Sequence, residues 1–215
     1  MAHLSQDENL IEAFKNNEDI HRMTAAKIFD VKIEDVTSSM RSNAKAVNFG
    51  IVYGISDFGL GKELSIPKKE AKKYIENYFE KYPKIKEFMD TSINFAKNNE
   101  FVETIFNRRR YISDINSKNY MVREGAQRIA INTPVQGSAA DIIKIAMVNV
   151  FRRLEDEGLK SKLILQVHDE LIIDALKSEK EQVKIILKKE MENAAKLLVK
   201  LVADINEGEN WYDSK

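Results

Sequence analysis

The chain has no cysteine. That excludes a disulfide framework, a thiolate metal site and a cysteine nucleophile. Histidine is scarce, limited to His3, His21 and His168, which leaves no material for a multi-histidine zinc site. Glycine and proline number 8 and 3 in 215 residues, ~5% of the chain against roughly 12% in average usage. Collagen-like, linker-like and turn-dense all-β chains are thereby disfavoured, and helix is favoured. No apolar run approaches the roughly 20 residues of a membrane span. The opening segment MAHLSQDENL lacks the basic and then apolar pattern of a secretory signal. A soluble protein of a reducing compartment is expected.

What is present is enough to fold. Hydrophobic residues make up 43% of the chain, which argues against global disorder, and the length suits one or two domains. The 34 basic and 34 acidic side chains cancel, but not evenly along the chain. Residues 41–73 and 107–130 each carry a net +4, while residues 1–40 carry −4 and 169–215 carry −3. A basic middle suits a polyanionic partner, and it suits an ordinary solvated surface equally.

The hydrophobic spacing predicts helices over 7–30, 39–53, 68–81 and 84–98, with Pro83 dividing the last two. Residues 101–112 read as a hairpin with Asn107 at its turn, where left-handed backbone is tolerated. A helix over 119–132 is expected to stop at Pro134. Ser138 with Asp141 reads as the cap of a new helix reaching about 157. Two short apolar runs, Leu163–Val167 and Leu171–Ile173, flank His168-Asp169-Glu170 and predict strand, tight turn and strand. Ser178 with Glu181 reads as another capping box, followed by a helix with apolar positions as far as Leu198. Residues 200–205 read as a final strand. The sum is a helix-rich α+β chain with a small antiparallel sheet late in the sequence.

Three constellations could carry chemistry. On the 39–53 helix, Met40, Ala44, Val47 and Ile51 fall within about 60° of one another and make a buried stripe. Arg41, Lys45, Phe49 and Tyr53 recur every fourth residue on the other side. Two cations suit a phosphate chain and two aromatics suit a stacked base. The alternative is a helix buried on two sides, with Phe49 and Tyr53 in the core. The second constellation is QVHDEL at 166–171, whose turn carboxylates offer the hard oxygen ligands that Mg²⁺ takes; the alternative is plain turn chemistry. The third lies in residues 127–141, where Arg128, Asn132 and Gln136 are suited to base edges and sugars, or else serve capping and packing around Pro134. Together they offer what is needed to hold a nucleoside triphosphate, a metal and a duplex.

These segments resemble the family A DNA polymerases, the bacterial DNA polymerase I type. RSNAKAVNFGIVYG at 41–54 is similar to the family's fingers helix, and QVHDEL to its metal-binding palm hairpin. DIHRMTA at 19–25, FVETIFNRRRYI at 101–112, INTPVQGSAADIIK at 131–144 and GENW at 208–211 match in the same order. The resemblance runs over essentially the whole chain and implies a template-directed polymerase acting in DNA replication or repair. It implies a fingers-like helical region over 1–118 and the C-terminal part of a palm over 119–215. Arg41, Lys45 and His21 are expected on the triphosphate, Phe49 on the sugar and base, and Tyr53 beside the templating base. Phe49, where some relatives have Tyr, implies discrimination against dideoxynucleotides. Arg128, Asn132, Gln136, Gln166 and His168 are expected on primer and template. Asp169 is expected as a ligand of two catalytic Mg²⁺ ions, with Glu170 beside it. The partners implied are primer–template DNA and deoxynucleoside triphosphates, with no membrane, and the place implied is the cytoplasmic nucleoid.

One departure bears on activity. The family's other metal-binding aspartate lies in a motif resembling DYSQIELR, and the sequence begins at MAHLS, just after that motif's place. Two-metal catalysis needs carboxylates from both motifs. The 215 residues alone are therefore expected to have little or no polymerase activity, and self-association through an exposed palm edge is an expectation too. Two other functional readings are a non-catalytic DNA- or nucleotide-binding module and one half of a split polymerase.

Overall fold

Short acceptor side chains stand just ahead of the apolar segments in the first third of the chain. Each starts a helix in the computed structural model, which describes residues 1–214. After a short α1 (Ala2–Ser5), Asp7 caps α2 (Glu8–Lys15), Asp19 caps α3 (Ile20–Ile28), Thr37 caps α4 (Ser38–Val52) and Ser56 caps α5 (Asp57–Leu64). Each cap oxygen takes an otherwise orphaned backbone N–H of the first turn. The single helix expected over 7–30 is therefore two. The chain turns at Asn17, whose φ is 54°, and the Asp19 cap starts the second helix. Apolar spacing alone cannot reveal such a break when both pieces face the same core.

Next come α6 (Lys68–Lys81) and α7 (Pro83–Asn99), with Pro83 in the first turn of α7, where its missing N–H costs nothing. Then β1 (Phe101–Glu103) pairs antiparallel with β2 (Arg109–Tyr111), and Asn107 takes a φ of 60° in the turn as expected. The long α8 (Tyr120–Asp156) follows. After it, β3 (Lys162–Val167) and β4 (Glu170–Asp174) form an antiparallel hairpin, with a register shift between Leu163 and Leu165. Last is α9 (Lys180–Glu192). The helix-rich α+β class with small antiparallel sheets stands.

Five other expectations do not. The helix does not stop at Pro134: α8 includes it. Apolar side chains on both sides of the proline are buried, and that packing outweighs the roughly 3 kcal/mol that an interior proline costs. Ser138 is consequently a buried mid-helix residue and not a cap. Ser178 caps nothing: α9 starts after Glu179 with no side-chain cap. The Glu179 carboxylate instead accepts from the Lys160 and Ser161 backbone N–H groups and the Ser161 hydroxyl, which fixes the entry to β3. Finally, α9 ends at Glu192, and residues 200–205 form no strand.

The chain divides into two compact units, Met1–Val135 and the part from Gln136 onward. In the first, Ala25, Val36 and Ala44 join α3 to α4, and Ala96, Val102, Ile112, Ile115, Ala126 and Ala130 join α7, the first hairpin and α8. Asp7 is 1% exposed and ties two helix starts together there. One carboxylate oxygen accepts from Leu10 N–H at 3.0 Å and the other from Lys84 N–H at 3.1 Å. In the second unit, Ile143, Ala146, Val150 and Leu154 of α8 pack with Leu171, Val183 and Ile186. A fully buried Val, Leu or Ile contributes about 1.5–3 kcal/mol over an exposed one.

Candidate functional site

The Thr37 cap and the apolar stripe decide which way α4 turns its other face. Ala44, Val47 and Ile51 are buried, so residues about half a turn away must face out. Arg41 and Lys45 are exposed, Phe49 is 45% exposed and Tyr53 is 39% exposed. A helix buried on two sides is therefore not what forms. Tyr53 is the C-terminal cap residue of α4 and not part of its body. The Phe49 and Tyr53 rings stack with centroids 6.2 Å apart, and Lys45 Nζ stands 5.9 Å from the Phe49 centroid. His21 of α3 joins this row, its ring 5.7 Å from Phe49. The five residues expected on a nucleotide lie along one row in the first unit.

Two side chains outside the candidate residues, Asp19 and Asn48, hold this row. Asp19 accepts from Arg41 Nε at 2.6 Å through one oxygen while the other caps α3 through Arg22 N–H. Gripped at Nε, the guanidinium keeps its terminal nitrogens available for a planar anion. The Arg41 hydrogen bond is the main reason the Asp19 carboxyl lies below its usual range. Asn48 approaches His21 Nδ1 at 2.9 Å. Burial, and then the neighbouring Arg41 and Lys45 charges, pull the His21 pKa below its usual value, with Asp19 opposing them. Both partners had a signal in the sequence. Asp19 has the cap-forming position ahead of IHR, and Asn48 is a polar residue inside the apolar stripe of α4.

Past Tyr53 the backbone turns at Gly54 with φ 74°, a conformation that glycine adopts freely. A Cβ there would meet Arg128 Cγ at 3.4 Å and Ile131 Cδ1 at 3.6 Å. The end of α4 is thus seated on α8 at Arg128, which is exposed beside Tyr53's end of the row. Asn132 lies one turn further along, with its Oδ1 buried and without a partner among the described residues. Arg128 and Asn132 are one helical turn apart on α8, and Gln136 is an exposed α8 residue that opens the second unit.

In the second unit, the β3–β4 turn is tight: Val167 pairs directly with Glu170, and His168 takes a φ of 51°. Gln166 Nε2 donates to the His168 carbonyl at 2.8 Å, bracing the turn that its neighbours occupy. His168, Asp169 and Glu170 are all exposed at the tip. Two adjacent carboxylates are hard-oxygen donors of the kind a divalent cation takes. No group of three or more His, Asp or Glu side chains that could hold a metal ion converges among the described residues. Among those residues, too, no helix is long and apolar enough to cross a membrane.

Known proteins match the chain along its length. The profile of DNA polymerase family A matches residues 1–213. DNA polymerase I of Caldicellulosiruptor bescii is 59% identical over 215 residues, which cover 100% of this chain and 25% of that protein. DNA polymerase I of Borreliella burgdorferi is 54% identical over 211 residues, covering 98% of this chain and 23% of that protein. The chain thus spans about a quarter of the length of the curated relatives it matches. Among solved structures, the POL domain of Pol1 from M. smegmatis, in complex with DNA primer-template and dNTP, aligns with a TM-score of 0.95 at 40% identity. That alignment covers 99% of this chain and 38% of the other.

Proposed function

The chain belongs to DNA polymerase family A, and from that premise we propose that its 215 residues are the nucleotide- and template-contacting part of a template-directed DNA polymerase. The reaction served is nucleotidyl transfer from a deoxynucleoside triphosphate to a primer 3′-hydroxyl, in DNA replication or repair within the nucleoid. Residues 1–118 serve as a fingers-like region and 119–215 as the C-terminal part of a palm. The observation that carries this reading is the exposed row on α4. A bland solvent face would present Glu, Lys and Gln, whereas this one presents two cations and two aromatics, with the half-buried His21 of α3 beside them.

In this proposal Arg41, Lys45 and His21 hold the triphosphate. Phe49 packs on the sugar and base of the same nucleotide, and Tyr53 borders the templating base. Arg128, Asn132, Gln136, Gln166 and His168 contact primer and template. Asp169, with Glu170 beside it, would hold Mg²⁺, which when bound activates the attacking hydroxyl and stabilises the leaving pyrophosphate. The rest of that ligand set must come from carboxylates that these residues do not bring together. Alone, the 215 residues then have little or no polymerase activity and self-associate through an uncovered strand edge.

Two measurements on the purified chain test this. Deoxynucleotide binding, followed by a fluorescent analogue, should weaken at least tenfold in the double variant Arg41→Ala/Lys45→Ala, since each charge-assisted contact contributes about 1.5–3 kcal/mol. Binding unchanged in that variant would remove α4 from the nucleotide site. Primer extension with Mg²⁺ should give no product from either the parent chain or Asp169→Ala. Product that vanishes only in Asp169→Ala would overturn the proposed inactivity.

A further inference from the structure

Asn48 occupies a position that an apolar side chain would fill more cheaply. It sits in the buried stripe of α4 with Ala44, Val47 and Ile51, and it is 7% exposed. Burying an amide in such a place is unfavourable unless its hydrogen bonds are made. Asn48 makes one, Nδ2 to His21 Nδ1 at 2.9 Å, while its Oδ1 is buried without a partner among the described residues. The one bond that Asn48 does make is to the His21 ring, so the two side chains constrain each other.

An amide NH₂ can only donate, so the ring nitrogen that receives it carries no proton. In the neutral ring the proton then sits on Nε2. We propose that Asn48 is a positioning residue that fixes His21 as the neutral Nε2–H tautomer. The ring thereby presents a hydrogen-bond donor, and not a lone pair, to an anion held by Arg41 and Lys45. The groups facing His21 agree with a neutral ring: Arg41 and Lys45 on α4 and burial all oppose protonation, and only Asp19, at the start of α3, favours it. Asp19 is itself occupied by Arg41 at 2.6 Å. The significance of the tautomer for catalysis rests on the phosphate role given to this row above; the tautomer itself does not.

Long-range ¹H–¹⁵N spectra of the histidine-labelled 215-residue chain at pH 8 read the tautomer directly, with His21 assigned by the peaks missing from His21→Gln. The parent should show Nδ1 at the position of a bare ring nitrogen and Nε2 protonated. In Asn48→Asp the carboxylate can only accept, so the proton should move to Nδ1. Asn48→Leu keeps the branched shape of the side chain without its donor and should give an averaged Nδ1 signal from both tautomers. A parent in the Nδ1–H form would overturn the proposal, and so would Asn48→Leu with the parent's unmixed Nε2–H pattern. Inorganic tripolyphosphate is then added to the parent. If it leaves the His21 resonances unmoved while the tautomers behave as expected, the phosphate role of the row fails and the role of Asn48 stands.

Discussion

Replacing Asp7 with alanine should destabilise the first unit more than any exposed substitution in α2. The carboxylate is 1% exposed and accepts two backbone N–H groups, Leu10 at 3.0 Å and Lys84 at 3.1 Å. The first bond is a helix cap, and losing a cap costs about 0.5–2 kcal/mol. The second is a charged acceptor serving the first turn of α7, and such bonds contribute about 1.5–3 kcal/mol. The two share one carboxylate and are not independent, so about 3 kcal/mol is expected for Asp7→Ala. For a chain of this size that lowers Tm by roughly 6–12 °C. Asp7→Ser keeps a cap acceptor for Leu10 but cannot reach both amides, and should fall between parent and alanine. Far-UV circular dichroism gives the melting order, and hydrogen exchange should show Leu10 and Lys84 deprotected together in Asp7→Ala. Exchange resolves the amides individually, which matters because two units need not unfold as one transition. An alanine variant melting within 2 °C of the parent, or a serine variant as unstable as the alanine one, would refute the double-cap account.

Two further predictions concern packing. Tyr74, Tyr78 and Tyr82 in and after α6 should ionise late in an alkaline titration followed by ultraviolet absorbance. Burial raises all three, Tyr74 and Tyr82 to about 12, with the Glu70 hydrogen bond adding to the shift at Tyr74. A phenol whose folded pKa is raised keeps its full stabilising contribution below pH 10 and loses it as pH climbs toward the folded value. These rings should therefore titrate with unfolding, and early reversible ionisation of all seven tyrosines would contradict the packing. Glu179→Ala should speed hydrogen exchange at Lys160 and Ser161, whose N–H groups the carboxylate holds, while α8 amides stay protected; unchanged exchange at Lys160 would mean the carboxylate does not fix that loop.

Much of this molecule was decided by local sequence. Both hairpins follow from short apolar runs around residues that accept left-handed backbone, Asn107 and His168. Pro83 splits α6 from α7 because proline fits a first turn and little else. The outward row of Arg41, Lys45, Phe49 and Tyr53 follows from one buried stripe and the helical period. Tertiary structure settled what local sequence states ambiguously. Pro134 lies inside α8 because packing on both sides outweighs its cost. Glu179 turns to Lys160 and Ser161, near in space though 18 and 19 residues away, so the Ser178 capping box does not form. The strand expected over 200–205 does not form, since alternation in sequence cannot supply a neighbouring strand to pair with. The same holds for the candidate site. The residue types were legible along the chain, but the grips of Asp19 on Arg41 and Asn48 on His21 join α3 to α4 across 22 and 27 residues. Only the fold brings those side chains to hydrogen-bonding distance.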